Sequence, residues 1–188
     1  QVLEFMPPSW GFVATGANFP DALAAAPLAA TYAYPLFLAH PVTGLSAATE
    51  AAMQNLTHVM VLGGPSVVSS ETYDYLVSVH GSSNVVRLGG LNRYATAVEV
   101  AEHASAKWGV RWDFVGVATG ENFPDALAGG VLQGAMFSQM LLTPSSSLSP
   151  DTAAALEARS GQISHVTFYG GTKAVSQAVR TSVTALIE

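Results

Sequence analysis

The sequence predicts an α/β protein built from two tandem repeats, each with a parallel sheet and helices on both of its faces. The first observation is that residues 14–24 return as residues 118–128 with ten of eleven positions identical, at an offset of 104 residues. The second is that short apolar segments alternate with segments whose apolar residues recur at helical spacing. Such alternation indicates parallel strands joined by right-handed helical crossovers. A long internal repeat indicates that one structural unit occurs almost twice.

The composition of the chain limits the classes of function. Of its 188 residues, 49% are hydrophobic and 11% are charged, which indicates a compact protein and not a disordered one. The formal net charge is −6 and only two lysines occur, so nucleic-acid binding is not expected. The absence of cysteine excludes disulfides, thiol catalysis and cysteine-based zinc sites. No apolar run is long enough to span a bilayer, and the first residues lack signal-peptide features, so a signal for export would lie upstream or have been removed.

The repeated segment predicts a strand, a tight turn and a capped helix. In each copy it follows an apolar run, at residues 10–13 and 114–117, that is short enough to be a buried strand. Asn18 and Asn122 suit the N-cap position, because a side-chain oxygen there accepts a free backbone N–H of the first helical turn. The proline two residues later fits that first turn, where a missing N–H costs little.

Asp21 and Asp125 follow the two asparagines by three residues. From this position a carboxylate can reach back to the cap residue, and it interacts favourably with the positive end of the helix. One interpretation is that the repeated segment is only a capping device. The other is that the helix start, at the carboxyl end of a parallel strand, forms part of a ligand site. A carboxylate in this place would weaken a site for phosphate.

The other predicted elements follow the same order in both copies. In the first copy they are helices at 19–31, 47–56 and 71–79 and strands at 34–39 and 58–62. In the second copy they are strands at 138–143 and 165–169 and helices at 150–159 and 177–187. The predicted N-caps are Ser46, Ser69, Ser149 and Ser176. The second copy carries three more residues, which we expect near Ser160 and Gly161.

Between the copies, residues 85–97 predict a strand, a glycine turn and a helix that runs to Trp108 and stops at Gly109. We therefore divide the chain into residues 1–86, a first repeat without its first strand and helix, and residues 87–188, a complete second repeat with four strands. The equivalents of residues 87–104 would precede residue 1. We expect the chain to be a fragment of a longer protein, or the missing strand and helix to be supplied in another way.

Two arginines flank this glycine turn and are the main candidates for ligand contact. Arg87 and Arg93 either pair with a capping aspartate, such as Asp21 or Asp125, or hold a carboxylate or phosphate of a ligand. Tyr94 either stacks on a sugar ring or is a half-buried core residue. No motif for nucleotide binding, for a phosphate loop or for a nucleophilic serine is present, and the five histidines lack metal-ligand spacing. The sequence therefore predicts no catalytic residue, no cofactor and no metal.

The order of these motifs resembles the cell-wall-binding repeat type 2 family. In the second copy the order is Arg-Leu-x-Gly-x-x-Arg-Tyr-x-Thr-Ala, Ala-Thr-Gly-x-Asn-Phe-Pro-Asp-Ala-Leu-Ala, an aliphatic triplet, a strand ending in Gly-Gly, and Val-Ser, at residues 87–97, 118–128, 140–142, 170–171 and 175–176. The first copy has the last four of these motifs, at residues 14–24, 36–38, 63–64 and 68–69. The resemblance covers almost the whole chain.

The resemblance implies a secreted, non-enzymatic module of Gram-positive bacteria that holds S-layer proteins, adhesins or wall hydrolases non-covalently at the cell wall. Its implied partner is an anionic secondary cell-wall polysaccharide. It also implies Rossmann- or Toprim-like lobes and repeats that come in threes as a triangular pseudo-trimer. With two copies in this chain, a third repeat in the parent chain or a homo-oligomer would complete the set.

The resemblance also links the aliphatic triplet, typically Ile-Leu-Leu, to anchoring. Here the triplets are Leu36, Phe37 and Leu38, and Met140, Leu141 and Leu142. Both departures from the family pattern keep the apolar character. The candidate ligand-contacting residues are therefore these six together with Asn18, Asp21, Arg87, Arg93, Tyr94, Asn122 and Asp125.

Three functions are compatible with these observations. The repeat, the motif set and the missing catalytic signature favour a wall-glycan anchor. Helix caps after parallel strands suggest a Rossmann-like enzyme acting on a nucleotide or sugar, for which a pocket joining Arg93 and Asp125 would be evidence. The low-charge surface allows a protein-binding adhesive module. Because an acidic chain repels an anionic polymer at long range, the anchor needs local sites, and repeated weak sites would add avidity.

Overall fold

The structure is a computed structural model, and it describes residues 9–188. The elements alternate along the chain as the apolar periodicity predicts. In the first half they are β1 (Trp10–Thr15), α1 (Pro20–Ala24), α2 (Ala26–Tyr32), β2 (Leu36–Ala39), α3 (Ala47–Met53), β3 (His58–Leu62), α4 (Ser70–His80) and β4 (Val85–Leu88). In the second half they are α5 (Arg93–Trp108), β5 (Arg111–Thr119), α6 (Pro124–Ala135), β6 (Ser138–Thr143), α7 (Pro150–Arg159), a short 3-10 helix (Ser160–Gln162), β7 (His165–Tyr169) and α8 (Gln177–Ile187).

The strands form two sheets in tandem, and every strand pair is parallel. The strand order is β2-β1-β3-β4 in the first sheet and β6-β5-β7 in the second. The strand that leads into the repeated segment, β1 or β5, is therefore central in both sheets. The predicted fold class, parallel α/β with two tandem repeats, is confirmed. Within residues 9–188, no helix combines the length and the apolar composition that crossing a bilayer requires.

Strand β4 joins the first sheet, although the predicted boundary between the repeats, after residue 86, divides it in half. It pairs with β3 in a register that runs from Val59 beside Val85 to Leu62 beside Leu88. The expectation that the second repeat holds its four strands in one sheet is therefore wrong. The next helix, α5, contacts both α1 and β6, so the chain passes from one sheet to the other through β4 and α5. The repeat boundaries at 1–86 and 87–188 stay a prediction.

The helix predicted at residues 19–31 is two helices, α1 and α2, which meet at Ala25. The reason is Pro27, which has no N–H to donate to the carbonyl four residues earlier and whose ring crowds that carbonyl. The equivalent residue of the second copy is Val131, and α6 is continuous there. A single proline thus accounts for the different helix lengths of the two copies.

Most predicted helix ends are confirmed. The hydroxyl groups of Ser46, Ser69 and Ser176 accept backbone N–H groups of the first helical turn, and Gly109 ends α5 with φ +69°. Ser149 holds the N-cap position of α7 but makes no capping hydrogen bond. The three additional residues of the second copy form the short 3-10 helix, where they were expected.

The N-cap predictions for Asn18 and Asn122 are wrong. The N-cap residues are Phe19 and Phe123, which have helical dihedrals and no side-chain cap. Each asparagine Oδ1 instead accepts the N–H of the phenylalanine that follows it, at 2.9 and 3.0 Å. The prolines begin the helices as predicted. Each asparagine therefore stabilises the turn before the helix and not the first helical turn.

A central core joins the two sheets. It contains residues of both repeats, among them Phe12 and Leu28 from the first and Ala118 and Leu142 from the second. Each sheet has a further core on its other face. Helices α2 and α6 approach closely across the junction, where a Cβ on Gly134 would lie 2.5 Å from the Pro27 carbonyl oxygen. The hydroxyl of Thr31 donates to the Gly134 carbonyl at 2.9 Å. The two repeats therefore share one folded body.

Candidate functional site

A polar pocket of about 150 Å³ lies at the carboxyl ends of β1, β3 and β4, where α1 and α5 begin. We call it the inter-repeat pocket. β1 is followed by β2 on one side and by β3 on the other, so the pocket lies at the switch point of the first sheet, where open α/β sheets bind ligands. Its lining comes from both predicted repeats: Thr15, Asn18, Pro20, Asp21, Gly64, Ser66 and Val67 from the first, and Gly90, Leu91, Asn92, Arg93 and Thr96 from the second.

Asp21 is the carboxylate of the inter-repeat pocket. Burial raises the pKa of Asp21 above its ordinary value, while a hydrogen bond from Thr96 and the charge of Arg93 oppose that rise. Its carboxylate lies against Gly63, where a Cβ would come within 2.7 Å of Oδ2. Gly63 has φ +92°, a conformation that favours glycine. The backbone of the glycine pair therefore makes room for the carboxylate.

Arg93 reaches the pocket from the first turn of α5. Its Nη1 donates to the Gly120 carbonyl at 2.6 Å, and its aliphatic stem covers Gly120. In the described part of the chain, neither Arg93 nor Arg87 forms a direct ion pair with an aspartate. The pocket joins Arg93 with Asp21, from the preceding repeat, and not with Asp125. Arg93 thus links the site of one repeated segment to the turn of the other.

Arg87 does not line the inter-repeat pocket. Its guanidinium donates to three backbone carbonyls, those of Gly63 and Val68 at 2.9 Å each and that of Ser69 at 3.3 Å. It lies over the ring of Tyr73, 4.8 Å from the ring centre. Burial lowers the pKa of Arg87. These contacts stabilise the loop between β3 and α4, and a ligand role for Arg87 stays a prediction.

The second copy repeats one wall of the pocket. The carboxylate of Asp125 lies against Gly170 as that of Asp21 lies against Gly63, and Gly170 has φ +96°. Within residues 9–188, β7 is an edge strand, so no equivalent of the β4 and α5 segment closes a pocket beside Asp125. Tyr94 is half-buried against the central core and contacts Gly120. Ligand roles for Tyr94, Asn122 and Asp125 stay predictions.

The two aliphatic triplets differ in exposure. Met140, Leu141 and Leu142 are at most 2% exposed and belong to cores on both faces of the second sheet. Leu36 and Phe37 are half-buried, whereas Leu38 is 54% exposed and lines an apolar pocket with Phe19 and Ala22. In this structure, only the first triplet presents a side chain that a partner can reach.

Nine of the twelve lining residues were not predicted as site residues, and Thr96, Asn92 and Ser66 are three polar ones among them. Thr96 is buried and its hydroxyl accepts the Gly90 N–H at 3.2 Å. The carbonyl oxygen of the Asn92 side chain caps α5, and its amide donates to Asp151 at 3.0 Å. Ser66 is exposed at the rim. Thr96 could have been predicted from the sequence, because it is a fixed position of the Arg-Tyr-x-Thr-Ala motif. Nothing in the sequence distinguishes Ser66 from other exposed serines.

The inter-repeat pocket combines a carboxylate, a guanidinium and neutral polar groups. Asp21 supplies the acceptor, Arg93 supplies donors, and amide and hydroxyl groups surround them. Asp21 is the single carboxylate of the lining. Glycoside hydrolysis ordinarily uses two carboxyl groups on opposite sides of the scissile bond. The pocket therefore suits recognition of a polar ligand better than hydrolysis of one.

Comparisons with known proteins agree with this description. The structure is similar to Cwp8 and Cwp6 from Clostridium difficile, each with a TM-score of 0.78, over 95% of this chain and 29% and 27% of theirs. At 22% and 23% sequence identity, these matches show the shared fold alone.

The sequence is 28% identical over 169 residues to N-acetylmuramoyl-L-alanine amidase LytC of Bacillus subtilis (strain 168). This match covers 89% of the chain and 32% of the amidase, so the chain spans about a third of that relative's length. The family model described as Cell wall binding domain 2 (CWB2) matches residues 1–73 and 87–180, which is most of the chain. The chain therefore belongs to the Cell wall binding domain 2 family.

Proposed function

We propose that the chain is a non-covalent anchor that holds a protein at the cell wall by binding an anionic secondary cell-wall polysaccharide. The observation that carries this proposal is the inter-repeat pocket, a polar cavity at the switch point of a parallel sheet. The chain belongs to a family of cell wall binding domains, which supports a ligand in the cell wall. The module then acts outside the cell, at the wall surface.

The pocket offers a reason for the duplication. Its walls come from two successive repeats, with Asp21 on one side and Arg93 on the other. A single repeat would carry only half of such a site. Successive repeats thus create sites at their junctions, and weak sites at regular spacing add avidity along a repeating polymer.

The polymer must bind despite the net charge of −6. Repulsion between an acidic chain and an anionic polymer acts at long range and is screened by salt, whereas hydrogen bonds in a pocket act at contact. Arg93 is the cation of the pocket lining. We therefore expect binding to depend on this local contact and to be stronger at physiological ionic strength than at low salt.

We also propose that a further repeat, in the parent chain or in a second copy, covers the outer face of α6. Leu127, Val131 and Leu132 are 52%, 59% and 49% exposed there. Their equivalents in the first copy, Leu23, Pro27 and Leu28, are buried where α1 and α2 meet the second repeat. The same helix face is thus covered in one copy and open in the other, as a third packing partner would require.

An enzyme acting on a sugar or nucleotide is the alternative. The observation that favours it is a carboxylate with a raised pKa beside an arginine, because catalytic groups often have shifted pKa values. The single carboxylate of the lining counts against acid–base pairs. Incubating purified wall polysaccharide with the chain and analysing it for shortened products would separate the two: anchoring leaves the polymer intact.

Sedimentation with purified walls tests the anchor. The chain should sediment with intact Gram-positive walls and stay in solution with walls stripped of secondary polysaccharide. The Arg93→Ala variant should sediment less. Arg111→Ala is the matched control, because Arg111 is exposed and its ion pair with Asp113 lies outside the pocket. Equal sedimentation with intact and stripped walls would refute a polysaccharide anchor.

A further inference from the structure

We propose that the inter-repeat pocket recognises an uncharged sugar residue of the polymer through its hydroxyl groups, with the Asp21 carboxylate as their acceptor, and that the anionic groups of the polymer remain outside. This inference rests on the proposed anchoring function and specifies which part of the glycan enters the site. It follows from the hydrogen-bonding inventory, the charge and the size of the pocket.

The Asp21 carboxylate accepts hydrogen bonds, so it suits a ligand that donates them. A carboxylate has about four lone-pair sites and no proton to donate when ionised. Asp21 receives a hydrogen bond from Thr96, and its remaining acceptor capacity is available to the pocket that it lines. Asp21 is half-buried, and a ligand that displaces water from its carboxylate must replace the hydrogen bonds that the water donated. Sugar hydroxyl groups supply the missing donors.

The donor side calls for a ligand that also accepts. A guanidinium has five N–H groups, and within the described residues only Nη1 of Arg93 has a protein acceptor, the Gly120 carbonyl. The Asn18 side chain uses its oxygen on the Phe19 N–H, which leaves its amide N–H groups for the pocket. A hydroxyl group both donates and accepts. Neighbouring hydroxyl groups on one sugar ring can therefore satisfy Asp21 and Arg93 together.

The charge balance disfavours a phosphate or carboxylate in the same place. The formal charges of Asp21 and Arg93 cancel, so the pocket offers an anion no net attraction, and the chain around it is acidic. A dianionic phosphate brings acceptors only and would face the Asp21 carboxylate without a proton to share. Burial already raises the pKa of Asp21, and a second anion beside it would raise that pKa further.

The size of the pocket fits a single sugar residue. Its volume of about 150 Å³ is well below the roughly 300–1,000 Å³ of pockets that hold drug-sized ligands. At about 30 Å³ for each water molecule, it corresponds to about five waters. One ring with its hydroxyl groups can replace that number of waters, whereas a longer stretch of polymer has to continue over the surface.

The direction in which Asp21→Asn changes the affinity for walls distinguishes a sugar from an anionic group in the pocket. Asp21→Asn removes the negative charge and half of the acceptor capacity while keeping the shape. If hydroxyl groups bind Asp21, we expect the affinity of the chain for intact walls to fall at least tenfold, by the same factor in 50 mM and 500 mM sodium chloride. If an anionic group occupies the pocket, the affinity rises. A rise, or an unchanged affinity, would overturn the inference.

Glu157→Gln is the control, because it also converts a carboxylate to an amide, at an exposed position of α7 that does not line the pocket. It should leave wall affinity unchanged. Ser66→Ala is a second variant, at an exposed rim position whose loss does not threaten the fold. It should weaken binding several-fold, and unchanged affinity would contradict a rim contact with hydroxyl groups.

Inorganic phosphate provides an independent arm. It should displace the unmodified chain from walls no more than sodium chloride of equal ionic strength does. Displacement beyond that of chloride would place an anion in the pocket and overturn the inference. If the unmodified chain fails to sediment with intact walls at all, the anchoring proposal itself is wrong. If it sediments but Asp21→Asn binds as well or better, only the sugar assignment is wrong.

Discussion

Arg87 and Arg180 bind equivalent backbone carbonyls from elements that are not equivalent. Arg87 lies on β4 and Arg180 on α8. Both donate to the first glycine of the Gly-Gly pair and to the valine of the Val-Ser motif, which are Gly63 and Val68 in the first copy and Gly170 and Val175 in the second. The first copy has Tyr73 at the position of Arg180, and Arg87 lies over its ring. The loop after the Gly-Gly pair therefore has a guanidinium in both repeats.

Replacing Arg87 by alanine should destabilise the protein by about 3 kcal/mol, because three carbonyl groups lose a charged donor in a partly buried loop. Urea unfolding followed by tryptophan fluorescence measures this loss. Lys173→Ala should change the free energy of unfolding by less than about 0.5 kcal/mol, because Lys173 is exposed and forms no ion pair within residues 9–188. Equal effects of the two substitutions would contradict a structural role for Arg87.

Replacing Gly63 by alanine should both destabilise the fold and disturb the pocket. Gly63 has φ +92°, and a Cβ there would lie 2.5 Å from a Val67 methyl and 2.7 Å from Oδ2 of Asp21. The backbone strain alone costs about 1–3 kcal/mol. Gly64→Ala is the control, because a Cβ on Gly64 meets no atom within 4 Å. Thermal unfolding should show a lower melting temperature for the first variant only.

The pH dependence of stability should change in the Asp21→Asn variant. Burial raises the pKa of Asp21, so the folded state binds more protons than the unfolded state above the ordinary value of 3.8. The stability that the protonated carboxyl contributes is complete below pH 3.8 and is lost as the pH rises through the folded-state pKa. The unmodified chain should therefore lose stability relative to the variant as the pH rises from 3.8. If the free energy of unfolding changed with pH in the same way for both proteins, the raised pKa would be contradicted.

The open face of α6 should determine self-association. A Leu127→Asp, Val131→Asp double variant places two charges on a face whose side chains are about half exposed, so the isolated fold should persist. If a second copy covers this face, sedimentation velocity at increasing concentration should show association of the unmodified chain and a monomeric variant. A monomeric unmodified chain would rule out the second copy as the occupant.

The local structure of the repeats could be predicted from the sequence because it depends on neighbouring residues. Serine caps, the stop at Gly109 and the prolines that start α1 and α6 act within one helical turn. The break at Ala25 could also have been predicted, since Pro27 interrupts any helix from within. The capping role of Asn18 was wrong because its side chain bonds the adjacent N–H instead.

The long-range features could not be predicted in this way. The sequence of β4 is compatible with a place in either sheet, and only packing places it beside β3. The meeting of Arg93 with Asp21 depends on that placement. The two copies also fill equivalent places in the core with different residues. Gly116 is at the position that Phe12 has in the first copy, and the ring of Tyr169 lies 2.7 Å from where a Cβ on Gly116 would be. Neither residue alone indicates such a compensation.

The pairing of β4 with β3 has a mechanical consequence for a protein that is held at one point and pulled at another. The chain leaves β4 directly for α5 and the second sheet, so a force transmitted along the axis of β4 would draw it lengthwise past β3. The hydrogen bonds between the two strands would then be strained together and not one after another. For such a force the pairing of β4 with β3 is a shear contact, which would suit the wall anchor proposed above.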